Sequence, residues 1–329
     1  MIPYNFTELL FFFFIYCFIG WIIESTYVSV NEKKFVNRGF MHGPFIPIYG
    51  FGAMALLLVG TPLLKWPVAV FFAGLFTASV LEYVTGTVME AVFKVRYWDY
   101  TGKFMNINGH VSLFTSICWG ALACVEDYWL QKPLEALKDM LSEEALSWIV
   151  TIISVYFVVD LTLSFKAAFD MRALIIKMEK AREELRLMQK RLDVYMAYAE
   201  EDRKEFIEER KEKYEERKER FEDLTGSIEQ QFTELKHRME ERPAAFADSV
   251  RDEISELKEK YIISKANRLN MLSFKDIYKR GIILGNPTMG SKKFKESFEA
   301  IKEYVDGYRK KDKDSSKVEE GTSESGEKH

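Results

Sequence analysis

The sequence predicts an all-α protein. It reads as a polytopic membrane bundle of five transmembrane helices, N-terminus out and C-terminus in, followed by a long cytosolic coiled-coil helical extension. Three observations predict it. Only ten of the 46 basic and thirteen of the 50 acidic side chains fall in residues 1–168, so the charge is concentrated in the second half. The first half contains five stretches with few or no charges, each close to the roughly 20 apolar residues that a helix needs to cross hydrocarbon. From Phe169 to Glu241 there is no proline and one glycine, Gly226, while apolar residues recur by fours and threes.

The first span runs from about Leu9 to Val30 and encloses Glu24. No basic segment precedes it and no alanine occurs before Ala53, so it reads as a retained anchor and not a cleaved signal. The second, Pro44 to Leu64, has no charge; the third, Trp66 to Glu90, is interrupted only by Glu82. The fourth covers about Ile107 to Val125 and ends at Glu126-Asp127, and the fifth, Ala145 to Phe165, includes Asp160. Orientation follows from lysine and arginine in short loops. Lys33, Lys34 and Arg38 follow the first span, Lys94, Arg96 and Lys103 the third, and Arg172, Lys177, Lys180 and Arg182 the fifth. The intervening connections carry Lys65 alone, then Lys132 and Lys138 in the loop Gln131–Glu144. The membrane domain is therefore expected over 1–168.

Ionisable groups at membrane depth are costly and default to a functional reading. Gly74, Ala78, Glu82, Gly86 and Glu90 follow at intervals of four, which puts small residues and carboxylates on one helical ridge that should face the bundle. Ser112, Ser116 and Gly120 form a similar ridge on the fourth span. Glu24, four residues after Gly20, should lie at the depth of Glu82. The expectation is that the two share a polar cavity open to the cytosol, capped by Arg38 or Arg96. The plainer reading is that each carboxylate accepts from a Trp, Tyr or Ser of the next helix and only fixes packing. Around Asn37, Arg38, Gly39, His42, Gly43, Pro44, Pro47 and Tyr49 the glycines and prolines point to an irregular or re-entrant start of the second span. In RYWDYTGKFMNINGH, the aromatics Tyr97, Trp98 and Tyr100 read as an interfacial belt around Asp99.

Several function classes are excluded. The near-balance of basic and acidic groups argues against nucleic acid as a partner. Cys17, Cys118 and Cys124 lie in apolar runs without metal-type spacing, so neither a disulfide framework nor a metal site is expected, and no cofactor. GNPTMGSK, Gly285 to Lys292, imitates a phosphate-binding loop, but its order is Gly-Ser-Lys and no strand leads into it, so this chain should carry no ATPase of its own.

The strings GWIIES, NRGFMHGPFIPIYGFG and LEYVTGTVMEAVFKVRYWDYTGKFMNINGHVSLFTSICWG, in that order, resemble the bacterial integral-membrane family of ABC-transporter type IV, CmpB-type permease-like proteins, over about residues 8–165. The matching positions are Gly20, Trp21 and Glu24; Asn37, Arg38, Gly39, Gly43, Pro44, Pro47, Tyr49 and Gly50; Glu82 and Glu90; Trp98, Asp99, Tyr100, Asn106 and Gly109; and Trp119-Gly120. His110 stands where such sequences often carry arginine. The resemblance implies a permease-like transporter subunit with a separate cytosolic ATPase, and brings no catalytic residues.

Beyond the membrane half, Leu174, Met178, Ala181, Leu185, Met188, Leu192, Tyr195 and Ala199 make a coiled-coil seam. It thins through Phe206, Tyr214 and Phe221 and resumes with Leu224, Ile228, Phe232, Leu235 and Met239. As one helix over 169–241 this would span about 100 Å and could pair two copies. Pro243 ends it. A helical segment over 243–310 follows, with stripes at Phe246, Val250, Ile254, Leu257 and Tyr261 and at Phe294, Phe298, Ile301, Val305 and Tyr308; the polar tail 311–329 should be disordered. The leading function is a permease-like subunit in the cell membrane, contacting membrane lipid. The alternatives are an enzyme acting on a lipid headgroup, drawing acid-base groups from Glu82, Glu90, Asp99, His42 and His110, and a membrane-anchored coiled-coil scaffold.

Overall fold

The computed structural model describes residues 4–199, 221–240, 254–265 and 277–305. Among them the chain is all-α, apart from two isolated bridges, Arg96 with Gly290 and Ile107 with Val111. It divides into two units, Met1–Arg172 with Asp276–Lys292, and Ala173–Lys275 with Lys293–His329.

In the first unit α1 spans Phe6–Glu32, begun by a capping box between Asn5 and Glu8 and ended by Lys33 in the left-handed region, φ 51°. α3 spans Pro67–Phe93 with proline in its first turn, where the missing N–H costs nothing. α6 runs without interruption over Glu143–Ala199. These three are long and apolar enough to cross a membrane. One aromatic core joins α1 to α6, Phe11, Phe12, Phe13 and Phe14 packing with Leu146, Val150 and Phe157.

The second apolar segment departs from its expected form in an informative way. Its helix, α2, begins at Pro47 and not at Pro44, and spans only Pro47–Gly60 before a 3₁₀ turn at Thr61–Leu63. The residues before it descend as irregular chain: the Ile46 N–H donates to the carbonyl of Cys17 at 3.1 Å. Cys17 lies fifteen residues before the end of α1, about 22 Å along the helix. Non-helical backbone at such depth must find partners within the protein. Asp160 of α6 provides one, its Oδ2 accepting from the Gly43 N–H at 2.8 Å. Of the irregular or re-entrant start read from the glycines and prolines, the irregular backbone is present, and Asp160 accepts from it.

Tyr49, in the first turn of α2, packs so closely on Gly20 that a Cβ there would overlap the tyrosine ring. Gly20→Leu should therefore overpack the α1–α2 contact, at about 1–3 kcal/mol, read as a lowered melting temperature in detergent. An unchanged melt would mean that α1 and α2 separate freely at this point.

The fourth segment begins later in the chain than expected. Its helix α4, Leu113–Val125, starts at a capping box of Ser112 and Thr115, and the residues from Ile107 to Ser112 stay in the preceding loop. It continues through a π-helical turn, Glu126–Leu130, into α5, Gln131–Asp139, so most of the expected loop Gln131–Glu144 is helix. The ridge of small residues on α3 does face inward: Gly74, Ala78, Glu82 and Gly86 are buried, Gly74 against Ala123 of α4, and Ser79 donates to Ser116 at 2.7 Å.

In the second unit the uninterrupted rod over 169–241 is corrected. Gln189 Nε2 donates to Ser227 Oγ at 3.3 Å, and Gln231 Nε2 to Asp193 Oδ1 at 2.6 Å, each pair 38 residues apart. In one continuous helix those atoms would be about 57 Å apart. The chain therefore returns on itself, bringing α7, Phe221–Glu240, alongside α6. Met178, Ala181, Leu185 and Leu192 are buried within this chain, which removes the exposed stripe on which a coiled-coil dimer was expected to form. Residues 254–265 form α8, whose Tyr261 donates to Glu229 at 3.1 Å. Residues 295–305 form α10, where Phe298, Ile301 and Val305 are buried and Ser297 donates to Glu179 at 2.6 Å. The expectations for Phe206, Tyr214, Pro243, Phe246, Val250, Tyr308 and the tail lie outside the described residues, as do the side chains of Phe221, Leu224, Leu235 and Met239.

A further departure concerns GNPTMG. Expected within 243–310 and apart from the membrane domain, it belongs with α9, Ile277–Gly285, to the first unit.

Candidate functional site

Glu82 is the centre of the site. It lies on the inward ridge of α3, its residue only 5 % exposed, and both oxygens are occupied: Tyr100 Oη donates to Oε1 at 3.2 Å and Trp119 Nε1 to Oε2 at 3.1 Å. The donors come from two other parts of the unit, the loop after α3 and the helix α4. Tyr49 stacks obliquely on Trp119, ring centroids 5.4 Å apart, and donates its own hydroxyl to Glu24 Oε1 at 2.8 Å. Arg38 reaches Glu24 from the other side, Nε to Oε2 at 3.8 Å. Tyr49 thus links the two acids, donating to Glu24 while its ring packs on the Trp119 that donates to Glu82, so the two carboxylates occupy one neighbourhood. Chemically, the arrangement is a pair of acidic groups lined by phenols and an indole, with one guanidinium beside them. It can hold a cation or a proton, or orient the basic group of a substrate.

Arg96 does not join this group. It pairs instead with Glu90, Nη2 to Oε2 at 2.8 Å, and with Asp99, Nη1 to Oδ1 at 3.3 Å, while His110 Nε2 stands 3.2 Å from the same Glu90 oxygen. The six candidate charges thus separate into Glu24, Glu82 and Arg38 on one side and Glu90, Arg96 and Asp99 on the other. Burial pushes the Asp99 carboxyl up, but the Thr101 hydroxyl and backbone donors and the nearby Arg96 outweigh it and hold it below the usual carboxylate range.

The motif loops are built around these groups. Asn37 accepts from the Trp21 indole and donates to the His42 carbonyl, and the Arg38 N–H donates to Ser25 Oγ at 3.1 Å. His42 Nδ1 lies 2.9 Å from Ser164 Oγ. Gly39 has a φ of 126°, a conformation L side chains rarely adopt. In the second loop Asn106 donates to the carbonyls of Thr101 and Lys103 and accepts from the Gly109 N–H, and Trp98 Nε1 donates to the His110 carbonyl at 2.9 Å. Tyr97 is buried and Tyr100 points to Glu82, so these aromatics are internal supports, which corrects the interfacial-belt reading.

Sequence reasoning missed Asn286. Its Oδ1 accepts from Arg38 Nη1 at 2.9 Å and its Nδ2 donates to the Gly39 carbonyl at 2.8 Å. Beside it the Arg96 and Gly290 backbones exchange hydrogen bonds, at 2.7 and 3.0 Å. Trp119 was read only as part of a resemblance, yet it supplies one of the two donors to Glu82.

Three helices long and apolar enough to cross a membrane, one of them carrying the buried and hydrogen-bonded Glu82, mark an α-helical membrane protein. Residues 11–165 match the family described as "Putative ABC-transporter type IV", so this part of the chain is similar to that family. No curated protein and no solved structure matches the chain.

Proposed function

We propose that the first unit is a permease-like subunit of an ABC-type transporter, and that the Glu24–Glu82 pair is its polar site, open to the cytosol. The observation that carries this is Glu82: a carboxylate buried on a membrane-length helix, held by Tyr100 and Trp119 and within the field of Glu24. Packing alone does not call for two acids in one place, because like charges disfavour each other. In this reading α2 and α4 complete five crossings, with the N-terminus outside and the basic loops holding Arg38 and Arg96 in the cytosol. A separate ATPase docks on those loops. The lipid-enzyme alternative loses support because Glu90, Arg96, Asp99 and His110 are engaged with one another.

The test is purification in mild detergent with identification of bound proteins and small molecules. An ATPase should co-purify, and its hydrolysis rate should change on reconstitution with the wild type but not with Glu82→Gln. Chemical turnover of a lipid by the purified chain alone would replace this reading with the enzymatic one.

A further inference from the structure

A second set of buried acids follows the end of α4, away from Glu82. Glu126 and Asp127 open the π-helical turn, about 22 Å along the helix from Ser112. Both are buried, at 6 % and 8 % exposure, and Glu126 Oε1 and Asp127 Oδ2 have no hydrogen-bond partner. Asp127 is pressed against the end of α2, where a Cβ on Gly60 would overlap its Oδ2. Glu126 and Asp127 both act on Tyr16 of α1.

The surrounding groups do not neutralise them. Tyr16 donates its hydroxyl to Gln131 at 2.8 Å, Gln131 donates to the Tyr4 hydroxyl at 3.0 Å, and Tyr4 donates to Glu135. Cys124 and Tyr128 feel Asp127 but bring no positive charge. Among the described residues no lysine or arginine forms an ion pair with either carboxyl, and Glu126 Oε1 and Asp127 Oδ2 stay without a donor. A buried carboxylate without a donor or a counter-charge is among the costliest arrangements in an apolar interior, and it is relieved by binding a cation.

We propose that Glu126 and Asp127 form a binding site for a monovalent cation, a proton or sodium, separate from the Glu24–Glu82 pair. Trp119 and Ala123 on α4 and Asp127 in the turn that continues it follow at intervals of four, so Ala123, packed on Gly74, stands between the two acidic sites. The proposal does not depend on the transport reading of Glu82.

The test uses the full chain in lipid nanodiscs and a hydrophobic carbodiimide, which attacks protonated carboxyls in apolar surroundings. Mass spectrometry locates the adducts. In sodium-free buffer an adduct is expected on Glu126 or Asp127, falling about tenfold per pH unit above the carboxyl's midpoint. It should be absent from the Glu126→Gln/Asp127→Asn variant and should not form with a water-soluble carbodiimide. Suppression by sodium at fixed pH assigns the site to the metal ion, and suppression by raised pH alone assigns it to the proton. No adduct at any pH in protein that elutes as a single folded species, or an adduct that neither pH nor sodium changes, overturns the site.

Discussion

Glu82→Lys should leave little or no folded protein in the membrane fraction. Inserting lysine in mid-helix costs about 2.5–3.5 kcal/mol on the insertion scale. It also removes the acceptor of both the Tyr100 hydroxyl and the Trp119 indole, each an additional ~1–3 kcal/mol when left buried and unpaired. Glu24 nearby would recover part of this, but the sum remains comparable to the roughly 5–15 kcal/mol that holds a domain together. Glu82→Gln behaves differently. Its amide oxygen can still accept from the indole, which only donates, while its NH₂ can face the Tyr100 oxygen after the hydroxyl turns. This variant should fold with a loss of about 1–2 kcal/mol, so any functional defect in it reports the lost charge. Membrane-fraction yield and melting temperature check both; wild-type values for Glu82→Lys would show that the side chain is not enclosed as described.

What could be read from sequence follows the range of the forces involved. The helices α1 and α3, the start of α6 and the inward ridge from Gly74 to Gly86 are written in local periodicity and were legible to within a few residues, whereas α6 runs past its expected end at Phe165 to Ala199. The irregular approach to α2 was legible because proline restricts the backbone and glycine frees it wherever they stand. Glu24 and Glu82 could be matched in depth by counting residues, but their donors could not: Tyr100 lies 18 residues from Glu82 and Trp119 lies 37, a pairing fixed only by the packing of α4 on α3. Arg96 was expected, as the alternative to Arg38, to cap the Glu24–Glu82 cavity. Its neighbours Glu90 and Asp99, six and three residues away, took it. The seam from Leu174 to Met239 has the same signature whether it meets another chain or its own return, and only the contacts Gln189–Ser227 and Asp193–Gln231 distinguish the two. GNPTMG carries turn residues that look like a connector, and nothing local in it announces Arg38 as its target, 248 residues earlier.

Asn286→Leu should release that connector from the first unit without unfolding the unit. Leucine fits the fully buried position in size but offers neither acceptor nor donor. Arg38 Nη1 would lose its 2.9 Å bond and the Gly39 carbonyl its 2.8 Å donor. Arg38 would keep the Tyr97 carbonyl and Glu24, so the loss falls mainly on the segment itself. At about 1–3 kcal/mol for each of the two abandoned buried groups, local opening of residues 286–291 should rise at least about thirtyfold and up to about 10⁴-fold, since 1.4 kcal/mol is a factor of ten. The Gly290 amide, which donates to the Arg96 carbonyl, is the natural reporter by hydrogen exchange. Asn286→Asp keeps the acceptor for Arg38 and forfeits only the donor, so its exchange should fall between the two. Unchanged exchange in Asn286→Leu would mean that the paired backbones of Arg96 and Gly290, with Ser291 donating to the Lys94 carbonyl at 2.7 Å, hold the segment unaided and that Arg38 needs no partner there.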